Sequence, residues 1–358
     1  MSLGIISSLF KRHNALTAVD ITSTSVKILQ LDCVGKTYEI SAYASASLPK
    51  GVLVNGVIEK LPVVVEALGR CISRSGANVR NVALAMPMQS VTTRMLTYPS
   101  DFSDRFIQEQ IESEANIHIP FPLEEVRFDF CKLGLNKNGI DSNVLLVAGR
   151  REQIDGRINV IEAMGLVPTL IDVESYCIQR CVAQSAKAMP KQGKGLILAH
   201  LDIGAMTTTL TVVKDDEILF QREQNFGGHQ LTLDISKQYS LTLEEAEAKK
   251  RTVELPADYT QRLLKPFLQD TAQTVARSLQ LFYTSTPYNR VDQLLLGGGS
   301  SPLPGLADAI THMTQVPVVL FSPIHGYSFN KRVNVRQIER DAAQLSVVCG
   351  LAMRAFDD

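Results

Sequence analysis

A strand that ends in aspartate, turns through hydroxyl residues and leaves as a second strand occurs twice in this 358-residue chain. The first copy reads Ala18-Val19-Asp20-Ile21-Thr22-Ser23-Thr24-Ser25-Val26-Lys27. The second reads Leu201-Asp202-Ile203-Gly204-Ala205-Met206-Thr207-Thr208-Thr209. Asp20-Ile21 matches Asp202-Ile203 at an offset of 182 residues, and the hydroxyls at 23–25 match the threonines at 207–209. The likeness extends further. A helix predicted over 271–283 precedes a strand over 291–296, as a helix over 57–75 precedes a strand over 82–86. A unit repeated half a chain apart predicts a duplicated α/β fold.

Between the copies the pattern changes. Periodicity predicts a strand at 91–98, a helix at 101–117 capped by Asp101 or Ser103, and strands at 126–133 and 143–148 around a turn at 136–139. A helix at 151–164 and a strand at 167–173 follow. That β-α-β-β-α-β order predicts an inserted ferredoxin-like subdomain. The expected division is a first-lobe core over 1–88, the inserted subdomain over 89–170 and a crossover and linker over 171–195. A second lobe over 196–340 and a C-terminal helix over 341–358 returning to the core complete it.

Composition removes several function classes. Lys+Arg number 36 and Asp+Glu 37, so no basic field selects a phosphate backbone, and nucleic acid is not an expected partner. Trp is absent, which leaves few platforms for base stacking. No apolar run reaches the roughly 18 residues of a membrane span. The first ten residues lack the basic start of a signal peptide. Leu3, Ile5, Ile6, Leu9 and Phe10, ahead of Lys11 and Arg12, suit one side of a short docking or membrane-touching helix. The six cysteines form no Cys-x-x-Cys pair, and Cys177 and Cys181 share a face of a predicted helix as buried thiols. A reduced, cytosolic chain without a metal framework is expected.

Three motifs carry chemistry. Each Asp turn exposes successive backbone N–H groups that suit phosphate, and an Asp at each strand end suits a hydrated magnesium ion. A pair of such turns grips a triphosphate from both sides. Leu294-Leu295-Leu296 runs into Gly297-Gly298-Gly299-Ser300, where a flat ligand can lie on bare backbone, and a helix is predicted from about Gly305. Pro302 stands where a dinucleotide fingerprint needs Gly. Phe226-Gly227-Gly228-His229 opens a helix, and Glu247 and Lys250 three residues apart on the next one can meet a sugar and a base edge. Gly35-Lys36-Thr37 is not a P-loop, since Gln30 holds the place of the earlier glycine.

In this order, the motifs resemble those of the actin, heat-shock-chaperone and sugar-kinase ATPase superfamily. Within it the chain resembles the PilM family of actin-like type IV pilus assembly proteins, through 18–27, 201–204, 226–232, Arg277-Ser278-Leu279-Gln280-Leu281-Phe282, 297–305 and Cys349-Gly350-Leu351-Ala352-Met353-Arg354. The resemblance implies a two-lobed actin-like ATPase fold with its inserted subdomain in the first lobe, as in FtsA. It implies ATP or ADP with Mg2+ in the cleft. Asp20, Ser23, Thr24, Ser25 and Lys27 would meet the phosphates from one side and Asp202, Gly204 and Thr207 from the other, with Asp20 and Asp202 towards the metal. Gly227, Gly228, Glu247 and Lys250 would meet ribose and base, and Gly297, Gly298, Gly299 and Ser300 the adenine. Glu174, after the crossover strand, is the candidate for orienting water. Thr22 replaces a common Gly and is expected to crowd the phosphate, slowing hydrolysis more than binding.

The implied role is an ATP-binding scaffold, cytoplasmic and peripheral at the inner membrane, that supports pilus biogenesis and twitching motility with slow or absent hydrolysis. Its implied partners are the N-terminal cytoplasmic peptide of PilN, in a groove near the inserted subdomain, and other inner-membrane and motor components, with a homodimer left open. Two other readings share the fold. An FtsA-like division protein would carry an amphipathic membrane helix after Arg354, where the sequence reads Ala355-Phe356-Asp357-Asp358. A small-molecule kinase would need a carboxylate base facing an acceptor pocket.

Overall fold

The computed structural model describes residues 16–357, apart from 36, 137 and 253. The short N-terminal helix expected before residue 11 lies outside the described residues. The chain opens with β1 (Leu16–Ile21), β2 (Ser25–Val34) and β3 (Thr37–Ser47). A ribbon of β4 (Leu53–Val54) and β5 (Val57–Ile58) leads to α1 (Leu61–Ser75) and β6 (Asn81–Met86). Helix α1 begins four residues later than its periodicity predicts. Asn55 (φ 50°) and Gly56 (φ 80°) are both left-handed, and that turn makes a hairpin of the first apolar residues.

The insertion holds β7 (Val91–Pro99), α2 (Asp104–Ser113), α3 (Ala115–His118), β8 (Val126–Leu135) and β9 (Asp141–Arg150). Ser103 caps α2 by accepting the Phe106 N–H at 3.3 Å. Then come α4 (Arg151–Glu162), β10 (Val167–Val173) and α5 (Glu174–Ala186), which crosses to the second lobe. That lobe contains β11 (Ile197–Ile203), β12 (Thr208–Lys214), β13 (Glu217–Gln224), α6 (Gly228–Tyr239), α7 (Leu243–Thr252) and α8 (Lys265–Ser285). It continues through β14 (Gln293–Gly297), α9 (Leu306–Thr314) and β15 (Val318–Leu320). The last elements are β16 (Ser328–Phe329), α10 (Val335–Asp341) and α11 (Ser346–Ala352).

The two large sheets repeat one topology. Their orders are β10-β6-β1-β2-β3-β16 and β13-β12-β11-β14-β15. In each, a β-meander is flanked on its first strand by two parallel strands reached through helices. Even the register repeats: Asp20 lies opposite Lys27, and Asp202 opposite Thr209. The central strands β1, β6 and β11 are mostly apolar and almost wholly buried, as strands covered on both faces are. One core lies between the first sheet, α1 and α4. Another, on that sheet's opposite face, is filled by α5 and α11. The second sheet packs on α6, α8 and α9.

The inserted subdomain departs from the ferredoxin-like arrangement. Its sheet has three strands, β7-β9-β8, covered by Ile107, Ile111 and Ala115 of α2 and α3. The expected fourth strand, β10, pairs in parallel with β6. Helix α4 explains why: Val160 and Ile161 are buried in the first-lobe core, so the chain after it emerges beside β6. The return to the first lobe also begins before residue 341. Strand β16 pairs with β3, and Ile324, Val333 and Ile338 pack in the first-lobe core.

Candidate functional site

Both Asp turns close in the same way. Thr22 N–H donates to Ser25 O at 2.9 Å, and Gly204 N–H to Thr207 O at 2.9 Å, so Ser25 is the structural counterpart of Thr207. Thr22 is not left-handed. Rather than straining the turn, its Oγ1 accepts the N–H groups of Ser25 (3.2 Å) and Thr24 (3.4 Å). Ser23 is half-buried and Thr24 exposed at the tip.

On the cleft floor Asp20 and Lys27 form a buried ion pair at 3.1 Å. Asp202 reaches the same place from the other lobe. Burial lifts its carboxyl to about 6, Asp20 and Glu223 add to the rise, and Lys27 opposes it. Glu174, the first residue of α5, is also there. Burial and then Asp20 push its carboxyl up to about 8, against the pull of Arg157. The structure therefore brings Asp20, Lys27, Asp202 and Glu174 together. It adds Glu223, whose carboxylate accepts the Thr209 hydroxyl at 3.5 Å, and Arg157, both missed in the sequence. Arg157 left a signal, as a charge on the apolar stripe Ile154–Arg157–Ile161 of α4. Glu223 left none, because β13 does not alternate cleanly.

The glycine motifs lean on the second turn. Gly228 N–H donates to Gly204 O and His229 N–H to Ala205 O, both at 2.9 Å. Ser300 N–H donates to Ile203 O at 2.9 Å, and its hydroxyl to Gly204 O at 3.2 Å. A Cβ on Gly298 (φ +90°) would come within 2.6 Å of the Asp202 carboxylate, and one on Gly227 within 2.5 Å of Ala205 O. Gly297 is buried behind the loop and Gly299 is exposed. Glu247 and Lys250 sit below Gly228. Lys250 donates to Glu247 (2.6 Å), the Thr232 hydroxyl (2.8 Å) and Gly228 O (3.1 Å), and Glu247 also accepts from Thr232 and Arg251. Their charged ends pin α7 to the start of α6. At the rim, Lys50 of the first lobe meets Nε2 of His229 at 3.1 Å across the cleft.

Two apposed carboxylates with neighbouring backbone turns suit a magnesium ion that keeps its waters and takes phosphate oxygens as ligands. Among the described residues no group of three or more His, Cys, Asp or Glu side chains is placed to hold a metal by itself. No helix among them is long and apolar enough to cross a membrane.

Repeated sheets joined at a cleft, with an Asp turn from each, define the actin-like ATPase fold. Consistent with this, the structure superposes on an ethanolamine utilization protein EutJ from Carboxydothermus hydrogenoformans with a TM-score of 0.54, at 14% identity over 94% of this chain and 88% of that one. The chain belongs to the type IV pilus assembly protein PilM family, whose model matches residues 18–356. It is also similar to a chain of a solved PilM–PilN type IV pilus biogenesis complex, with a TM-score of 0.81 and 25% identity, over 96% of this chain and 99% of that chain. Among curated relatives, EutJ of Salmonella typhimurium is 28% identical over 42% of this chain, and the match spans 46% of that relative's length. FtsA of Bacillus subtilis is 31% identical over 30% of this chain and 23% of its own.

Proposed function

We propose that this protein is an ATP-binding scaffold of the type IV pilus assembly machine. It sits in the cytoplasm, peripheral to the inner membrane through its partners, and supports pilus biogenesis and twitching motility. The observation that carries the reading is the convergence of two equivalent Asp turns on one cleft in a chain of the PilM family. Ser23, Thr24, Ser25 and Lys27 bind phosphate from one lobe, and Gly204 and Thr207 from the other. Asp20 and Asp202 hold a hydrated Mg2+. Gly227, Gly228, Glu247 and Lys250 shape the ribose side, and Gly297 to Ser300 the adenine side. A bound nucleotide supplies the phosphate charge that draws the turns together. Glu174, at the start of α5, orients water, and hydrolysis is slow or absent.

The proposed partner is the N-terminal cytoplasmic segment of PilN. The solved PilM–PilN complex supports it. So do Met95, Leu133 and Leu135 of the inserted sheet, apolar side chains each more than half exposed. Calorimetric titration of the protein with a synthetic PilN-type N-terminal peptide, with Mg-ATP and without, tests the reading. Binding at about micromolar Kd or tighter is expected, with an affinity that depends on nucleotide. Normal ATP binding with no peptide binding would remove the pilus assignment and leave the fold.

A further inference from the structure

The two Asp turns head matching rows across their sheets. In the first lobe Asp20 lies opposite Lys27, and Lys27 opposite Ser45. In the second Asp202 lies opposite Thr209, and Thr209 opposite Glu223. Residues paired across strands stand on one face with Cβ atoms about 5 Å apart, so each row is a line of three side chains. The Thr209 hydroxyl donates to the Glu223 carboxylate along that line, at 3.5 Å. Gln224 points the other way and donates to Ser278 of α8. The face that carries Asp202, Thr209 and Glu223 is the one turned to α5. Leu198 and Val213, in step with Asp202 and Thr209 on their strands, pack with Ile178 and Val182 of that helix. Glu174 stands one turn before Ile178 on the same stripe.

The rows differ in charge. Lys27 neutralises Asp20 in a buried ion pair at 3.1 Å, and the Ser45 hydroxyl donates away from the row, to Asp341 of α10 at 3.0 Å. The first row is thus neutral and already satisfied. The second row holds two carboxylates and a hydroxyl, and no cation stands in it. A divalent ion gains little from a carboxylate that must first leave a buried partner, because the cation left behind is uncompensated. Two carboxylates on either side of a hydroxyl suit an ion that keeps its waters and is held through them. Groups that hold a metal's ligands in place in this way weigh heavily on its affinity.

We propose that Glu223 is a further magnesium-holding residue of the cleft, which ties the nucleotide's Mg2+ to the second lobe through water. This deepens the nucleotide-binding reading above and rests on it. Asp202 and Glu223 hold the ion from the two ends of their row, and Thr209 positions Glu223. Asp20 brings a carboxylate whose charge Lys27 already balances, so the metal's hold on the protein is unequal between the lobes.

The test measures by calorimetry the affinity of the full chain for ATP, with saturating Mg2+ and with EDTA, in wild type, Glu223→Gln and Glu223→Asp. Wild type is expected to bind ATP more tightly with the metal. Glu223→Gln is expected to shrink that gain roughly tenfold, as loss of a group that orients a metal's ligands does. Its affinity in EDTA holds or rises, because a negative charge facing the phosphates is gone. Glu223→Asp, which keeps the charge on a shorter stem, falls between. An unchanged gain in Glu223→Gln overturns the proposal, and so does an equal loss with and without the metal, which marks a purely structural role. Should Glu223→Gln fail to fold, the Asp variant decides alone, since its gain must also shrink. A wild type that binds ATP equally well in both conditions overturns the proposal and leaves nucleotide binding standing. One that binds ATP in neither removes the nucleotide reading itself.

Discussion

Thr22 shows how one side chain can take over a glycine's place. Its counterpart in the second turn is Gly204, and the main-chain closure is the same in both. The threonine adds an acceptor, and the N–H groups of Thr24 and Ser25 point to it. Those are donors that the phosphate proposed above would use, so on that proposal Thr22 competes with it inside the turn. Thr22→Val removes the acceptor at nearly constant shape and is expected to cost about 1 kcal/mol, read in urea unfolding, whereas Thr22→Ser stays near wild type. An unchanged midpoint in the valine variant would show that the long hydrogen bonds contribute nothing. The acid pair Asp20 and Asp202 was legible at this scale because turn chemistry is local. Glu174 was legible only through the resemblance, and the Lys27 ion pair only through register across two strands.

At the scale of elements, the α5–α11 crossing joins the lobes. A Cβ on Gly350 would overlap the carbonyl oxygen of Cys177 and lie 2.5 Å from its carbonyl carbon. Both atoms are backbone, so no rotamer change relieves the clash. Gly350→Ala is therefore expected to cost about 3 kcal/mol or more, seen as a fall in the denaturation midpoint. A variant as stable as wild type would mean that the two helices can slide apart cheaply. The buried Cys177, Cys181 and Cys349 line the same crossing and are free thiols. Sequence periodicity placed Cys177 and Cys181 on one helix face, but it carries no information on what that face meets. The β4–β5 ribbon shows a related limit. Its apolar residues continue the helical period, and the Asn55-Gly56 turn overrides that period.

Across the whole molecule, His200 ties the second sheet to the C-terminal return. Its Nε2 lies 2.9 Å from the Ser346 hydroxyl, and Phe321 packs edge-on against the ring. Burial alone holds its pKa down, to about 4. The unfolded chain, with an ordinary imidazole near 6.5, therefore binds an extra proton between those values. This contribution is complete above about pH 6.5 and is lost as pH falls towards about 4, roughly 3 kcal/mol in all. Stability measured by urea at pH 7 and pH 5 should fall further for wild type than for His200→Gln. Equal falls would mean that the imidazole titrates normally in the folded protein.

By itself the sequence determined the duplication, the two Asp turns, the glycine loops and the family. Each is written in short stretches whose chemistry is local or whose spacing repeats. Only the tertiary structure decided where β10 pairs, because a seven-residue strand suits either sheet until α4 is buried on the first lobe. It decided that Lys250 and Glu247 pin one helix to another, since both lie on a helix face whose neighbour is set by packing. It also decided that Arg157 ends buried, because burial is a property of what the rest of the chain places around a residue.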